Sequence, residues 1–255
     1  MPARVWTRRL EEARLATAFL TRLPLPVGSF DAAALARAVW AFPLAGLLVG
    51  ALAAALYAAA LWLGLTPWLA ATLAVLAQVL ATGGLHEDGL ADSADGLGGH
   101  DRLRRLEIMR DSATGSYGVM ALVLSLGLRI GALTALAGPE AVAAALLAAA
   151  MLSRAAIGLS MRLLRPARAD GLSAAAGRPE WVIVVLAWCL AAALSLPGLG
   201  GAAVLALLAG AAVSALAITV AAWRRLGGQT GDTLGAVQQV SESVCLLLLC
   251  AAPWA

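Results

Sequence analysis

Seven apolar runs, each close to the length of a bilayer crossing, constrain this chain more than any other feature. They cover approximately residues 39–63, 67–83, 117–137, 140–161, 181–198, 201–222 and 234–254. A helix rises about 1.5 Å per residue and the hydrocarbon core is about 30 Å thick, so about 20 apolar residues cross it. The second and fifth runs are near the short limit, and the seventh carries polar residues in its first half. Composition agrees, with 62% hydrophobic and 13% charged residues, against about 45–50% and about 25% in soluble domains. These values exclude a disordered chain, a secreted disulfide scaffold and an ordinary soluble enzyme. The predicted fold is all-α: a polytopic membrane helix bundle of about seven transmembrane helices, forming one integral-membrane domain over 1–255.

Charge placement predicts the topology. All 18 basic residues are arginine, and the net charge is +3. They flank the apolar spans rather than forming one basic face, so no nucleic-acid partner is expected. The connections near 64–67, 137–140 and 196–201 are short and carry no arginine. The N-terminal segment 1–36, the stretches 84–116 and 162–180, and the Arg224–Arg225 turn carry nearly all of them. The positive-inside rule places these in the cytoplasm, with the N-terminus inside and the C-terminus outside. The first 22 residues hold Arg4, Arg8, Arg9, Glu11, Glu12, Arg14 and Arg22 and no apolar core of leader length. Their apolar positions follow helical spacing, which predicts an amphipathic interfacial helix rather than a cleavable signal. Cys189, Cys245 and Cys250 lie inside apolar runs and are read as buried packing residues.

The polar chemistry concentrates in 87–111, which holds Glu87, Asp88, Asp92, Asp95, Asp101, Glu107 and Asp111, seven of the 15 acidic residues. Asp88, Asp92 and Asp95 stand at i, i+4 and i+7, one stripe of a helix. No basic residue separates them. Such a stripe at a membrane surface calls for a cation, and oxygen-only donors suit Mg²⁺ or Mn²⁺ rather than Zn²⁺. Glu87 points off the stripe and is expected to face solvent. The glycines around the acids fit close backbone approach to a ligand or tight helix packing, and for Gly83 and Gly84 both remain open. Arg110 and the run Ser112, Thr114, Gly115, Ser116 suit phosphate binding through guanidinium and backbone N–H groups, and equally suit helix capping. Asp232 lies at the mouth of the last span, and Glu242 lies two to three turns further in, within the apolar zone. Arg129 and Arg154 are also intramembrane, placed either to pair with Glu242 or to hold an anionic substrate. The set suits phosphoryl transfer to a hydroxyl, with a carboxylate or His86 as the weak base, or His86 as a hydrogen-bonder beside the metal.

The stretch GGLHEDGLADSADG, followed by RLEIMRDSATGSYG, resembles the cobalamin synthase family of adenosylcobinamide-GDP ribazoletransferases. FLTRLPLP at 19–26 and TGDTLGAVQQVSE at 230–242 are similar to that family's N- and C-terminal signatures, so the resemblance runs through nearly the whole chain in order. Where the family carries lysine in the stretch ending IMKDS, Arg110 stands here and keeps the charge. The resemblance implies that a hydroxyl of α-ribazole or α-ribazole 5′-phosphate attacks the corrinoid-bound phosphate of adenosylcobinamide-GDP. GMP then leaves, with Mg²⁺, at the bacterial cytoplasmic (inner) membrane. Carried over by position, it implies metal roles for Asp88, Asp92 and Asp95, with Asp111 and Asp232 as further ligands. Phosphate or proton-transfer roles fall to Arg110 and His86. Ser112, Gly115, Arg129, Arg154, Thr230, Asp232 and Glu242 join the substrate-binding set. Membrane lipid is an expected partner, and small-residue helix faces permit a homo-oligomer. Two other readings are a CDP-alcohol-type phosphotransferase, matched in part by Asp92-Ser-Ala-Asp95-Gly96 without the Ala-Arg pair that follows in that motif, and a cation-coupled transporter. Transporters place their acids near the midplane, often in repeated halves; here most acids gather at one face and no repeat is seen.

Overall fold

A computed structural model describes residues 2–25 and 32–251, except for the side chains of residues 2–5, 32 and 172. The chain runs through α1 (Pro2–Leu20), α2 (Ala32–Ala38), a 3-10 turn (Val39–Ala41) leading into α3 (Phe42–Trp62), α4 (Pro67–Thr82), α5 (Leu85–Leu97), α6 (Arg102–Ile108), α7 (Ser116–Leu136), α8 (Pro139–Leu163), α9 (Leu172–Ala176), α10 (Trp181–Leu226) and α11 (Gly231–Ala251). Among the described residues there is no strand.

Five of these helices are long and apolar enough to cross a membrane, and the bent pair α4–α5 makes a sixth candidate. α10 would be about 69 Å long if straight, twice what a bilayer needs. It breaks at Gly200, whose φ of 76° and ψ of 170° are not helical. The Arg162 guanidinium lies 5.1 Å from the Trp181 ring, and Thr219 Oγ1 lies 3.0 Å from Ser160 Oγ. Both contacts are near the C-terminal end of α8. Gly198, at the middle of α10, packs instead on Ala144 near the start of α8. The halves of α10 are therefore antiparallel, and the expected division at 198–201 stands. The chain is a multi-pass helical bundle.

α8 is the central pillar, buried on nearly every face. Its closest partner is α3, and the cause is Gly46 and Gly50, four residues apart on one face. A side-chain carbon at Gly46 would overlap the Ala150 carbonyl, and one at Gly50 would sit 2.8 Å from Leu146 O. Small residues let membrane helices approach backbone to backbone, where packing contacts replace the missing hydrophobic drive.

Gly83 and Gly84 are both left-handed (φ 68° and 71°). Two such residues in succession end α4 and turn the chain by 90° into α5. These glycines serve a turn, a role neither of the two sequence readings named. α5 leaves the line of the spans and lies at the arginine-rich end of the bundle. Its inner face is packed against α11 and α7, burying His86, Glu87, Gly89, Ala91 and Asp95.

α1 is held by one face. Buried Glu12 accepts from Arg8 (3.2 Å), Arg9 (2.8 Å) and Trp40 Nε1 (2.9 Å). Leu15, Ala16 and Leu20 are buried, whereas Trp6 and Leu10 face outward. The cysteines divide: Cys245 is buried, but Cys189 and Cys250 are exposed, against expectation, although Cys250 Sγ still donates to Ala132 O of α7. Hydropathy marks an apolar run without distinguishing the side that faces lipid.

The α3–α8 contact predicts an asymmetry between glycines. Gly50→Val should destabilise by about 1–3 kcal/mol through overpacking. Gly131→Ala, on a face of α7 with nothing within 4 Å, should leave stability unchanged or raise it by up to about 1 kcal/mol. Thermal melting in detergent, followed by size-exclusion recovery, checks both.

Candidate active site

The Asp-rich helix and the last span are joined at two glycines. A side-chain carbon at Gly89 would lie 2.8 Å from Asp232 O, and one at Gly235 would lie 3.2 Å from Gly89 Cα. This backbone contact carries Asp88 and Asp92 of α5 to the mouth of α11, where Asp232 sits. Thr230 Oγ1 donates to Asp232 at 3.2 Å, and Thr230 N donates to Thr233 Oγ1 at 2.9 Å, so Thr230 builds the turn that starts α11. The preceding loop is stapled to 165–167: Ala167 N donates to Gln229 O (2.7 Å) and Gln229 N to Arg165 O (2.9 Å). That staple brings Arg168 to 3.8 Å from Asp232.

Asp88 is exposed, Asp92 half-buried and Asp95 buried. Burial, followed by the neighbouring Asp88, Asp232 and Asp95 carboxylates, pushes the Asp92 carboxyl up to about 7, with Arg168 opposing. Among the described residues no three His, Cys, Asp or Glu side chains are already closed around one ion position. Mg²⁺ does not need such a cage, because it keeps several waters and binds one or two carboxylates together with substrate phosphates.

Asp95 does different work from its stripe-mates. Its carboxylate accepts from Gly115 N (2.7 Å) and Gly118 N (2.9 Å), at the N-terminus of α7. A negative group there is favoured by the helix dipole and by N–H groups that lack helical partners. A side-chain carbon at Gly115 or Gly118 would collide with that carboxylate, which explains the sequence Gly-Ser-Tyr-Gly. The N–H of Gly115 is therefore given to Asp95 and not to a phosphate. Ser112 is exposed near this turn, and Asp111 is exposed with its side chain accepting from Ala113 N at 3.0 Å. Arg110 makes two bonds to Asp170 (2.7 and 2.6 Å) at the surface. Arg110 and Asp111 lie in this exposed loop, with Arg110 paired to Asp170.

Behind α5 lies a polar network inside the bundle. Glu87 is buried, contrary to the expectation of a solvent-facing side chain. It accepts from Arg129 Nη1 (3.1 Å) and Gln239 Nε2 (2.9 Å). Arg129 also donates to Gln239 (3.0 Å) and to Gln78 Oε1 (2.6 Å). Gln78 donates to Glu242 at 2.8 Å, Gln238 donates to Glu242 and to Ser153, and Arg154 lies 4.0 Å from Glu242. Two glutamates and two arginines from α5, α7, α8 and α11 thus offset one another, with Gln78, Gln238 and Gln239 bridging them and Glu87 Oε2 left without a partner. Of the two roles open to Arg129 and Arg154, the structure shows pairing. His86 lies between this network and the cluster. Burial, then Arg154 and Arg129, lower its pKa well below the usual range, so the imidazole is neutral.

Sequence reasoning missed Arg168, Glu87 and Gln78. Arg168 had no local motif and becomes visible only through the staple to Gln229. Gln78 did carry a signal, as a lone amide in an otherwise apolar run.

A family model described as cobalamin-5-phosphate synthase matches residues 12–250. The chain belongs to that family. Curated relatives carry the name adenosylcobinamide-GDP ribazoletransferase. The one from Bradyrhizobium diazoefficiens is 49% identical over 246 residues, covering 95% of this chain and 94% of the relative. Those from Mesorhizobium japonicum (49% over 244 residues; 94% and 92%) and Azorhizobium caulinodans (48% over 252 residues; 94% and 96%) are similar to it over the same extent. No solved structure matches. The matched region includes both acidic motifs and every residue of the buried network.

The network predicts coupling. Glu87→Gln or Arg129→Gln alone leaves the buried network with one uncompensated charge and should cost about 3–5 kcal/mol. The double variant should cost less than the sum by about 1–3 kcal/mol. Melting temperatures of the four proteins in detergent check this, and strict additivity contradicts it.

Proposed function

We propose that this chain is an adenosylcobinamide-GDP ribazoletransferase. It joins adenosylcobinamide-GDP to α-ribazole or α-ribazole 5′-phosphate and releases GMP. The observation that carries the reading is the meeting of the two acidic motifs at Gly89 and Gly235, which gathers Asp88, Asp92 and Asp232 at one open mouth.

In the reaction, a ribose hydroxyl oxygen forms a bond to the phosphorus on the corrinoid arm. The bridging P–O bond breaks, GMP takes that oxygen, and the hydroxyl proton passes to a carboxylate of the cluster. The donor set is all oxygen and crowded with negative charge, which fits Mg²⁺, with Mn²⁺ as substitute. Asp88, Asp92 and Asp232 would hold it. A bound Mg²⁺ supplies charge neutralisation on the diphosphate and its leaving group. Arg168, beside Asp232, orients a phosphate oxygen through its guanidinium. Asp95 seats α5 on the start of α7 and so fixes the stripe. Thr230 shapes the turn that presents Asp232.

The arginine-rich end faces the cytoplasm of a bacterial inner membrane, by the positive-inside rule. Both soluble substrates reach the cluster from that side. The outward Val119, Met120, Val123 and Leu124 of α7 face lipid tails. Most of the acids gather at one end of the bundle, and the intramembrane pair is internally balanced. Both features favour a transferase over a transporter.

Membranes containing the protein, supplied with adenosylcobinamide-GDP, α-ribazole and Mg²⁺, should release GMP and a corrinoid product together, and a chelator should stop both. CMP release with a lipid product contradicts the reading. Asp92→Asn should lower turnover by at least about 10²-fold while leaving the melting temperature in detergent within a few degrees. Because Asp92 titrates near 7, it is protonated below that pH and must lose a proton to meet the cation. The Mg²⁺ concentration giving half-maximal GMP release should therefore rise as pH falls from 8 to 6. A Mg²⁺ requirement that does not change over that range contradicts the assignment of Asp92.

A further inference from the structure

Next to the carboxylate cluster the bundle leaves a solvent-open cleft with two unlike walls, ≈ 780 Å³ when the space at its opening is included. Phe19, Leu35, Phe42, Ile157, Met161 and Leu234 make the apolar wall. Phe19 and Phe42 stack with ring centroids 6.5 Å apart and planes 30° apart, giving it an aromatic floor. His86, Asp88 and Asp232 lie along the opposite edge. His86 is 2% exposed, and its Nε2 has no hydrogen-bond partner. Among the described residues lining the cleft there is no arginine.

Three bodies must meet at the reacting phosphorus: the corrinoid arm, the GMP leaving group and the ribazole acceptor. The corrin ring with its adenosyl group is too large for this cleft. GMP needs cations for its phosphate and several polar partners for its guanine edges, and the apolar wall offers neither. The acceptor's 5,6-dimethylbenzimidazole is planar, apolar and methylated, with one free ring nitrogen that accepts a hydrogen bond. We propose that this cleft binds the aromatic base of the ribazole acceptor, with the His86 ring at its edge and the ribose reaching Asp88 and Asp232. The base would stack on the Phe19–Phe42 floor, as aromatic rings favour offset stacking. The inference rests on the transferase reading and adds which substrate goes where. It makes the apolar wall the determinant of lower-base choice.

The test uses the full-length protein in detergent, with GMP release as readout and free 5,6-dimethylbenzimidazole as the probe. The bare base should inhibit competitively against α-ribazole and not against adenosylcobinamide-GDP. Ile157→Phe, which fills the cleft, should raise both the KM for α-ribazole and the inhibition constant of the base by at least about tenfold. The KM for adenosylcobinamide-GDP should not follow. Inhibition competitive with adenosylcobinamide-GDP, or no inhibition up to the solubility limit, overturns the inference while leaving the transferase reading intact. Absence of GMP release from the unmutated protein overturns the transferase reading and the inference with it. If Ile157→Phe does not elute as a single folded species, the inhibition pattern of the unmutated protein decides alone.

Discussion

The contact on which the candidate site depends is between two backbones. α5 and α11 cross where Gly89 meets Gly235, with no room for a side chain at Gly89 and only a strained fit for one at Gly235. That crossing turns two acidic motifs about 140 residues apart in sequence into neighbours. It holds because each helix is pinned from the inside. Glu87, one residue before Asp88, reaches back to Arg129 and Gln239. Glu242, ten residues past Asp232, is tied to Gln78, Gln238 and Arg129. Charged groups inside a membrane bundle are tolerated when paired. Here the pairing also fixes the depth and rotation of the helix that carries the aspartates.

Two further devices complete the placement. The successive left-handed glycines at 83 and 84 turn α5 by 90° out of the line of α4, so an acid-rich helix need not cross hydrocarbon. Asp95 then seats the far end of α5 on the unpaired N–H groups of α7. The stripe of three aspartates therefore divides its labour. Asp95 serves as a structural cap, and Asp88 and Asp92 remain open at the mouth with Asp232. Burial, reinforced by the neighbouring carboxylates, raises Asp92 to about 7, as expected of such a cluster before a cation offsets its charge.

The spans were legible because hydropathy and helix length are local properties. The reversal at 198–201 was legible from Pro197, Gly198, Gly200 and Gly201, since such residues interrupt helices. The acidic stripe was legible from its spacing, and the intramembrane Arg129, Arg154 and Glu242 from their cost in lipid. What sequence could not supply was direction. Periodicity assigned Glu87 to the side away from the stripe, and that side proved to be the interior, because α5 lies against α11 and not on the surface. The same ambiguity misplaced Cys189 and Cys250, whose helices are apolar on both sides. The partners of Asp95 and Arg168 depend on contacts between segments 20 to 64 residues apart, which no local pattern encodes. Gly46 and Gly50 did carry a readable small-residue spacing, and it marks the tightest helix pair in the bundle.

The central claim is that α5 and α11 contribute to one cation site. Electron paramagnetic resonance of Mn²⁺ titrated into the detergent-purified protein measures this directly. The account predicts that Asp88→Asn on α5 and Asp232→Asn on α11 each weaken the same bound Mn²⁺ signal. An Mn²⁺ affinity unaffected by Asp232→Asn would contradict a site shared between the two helices.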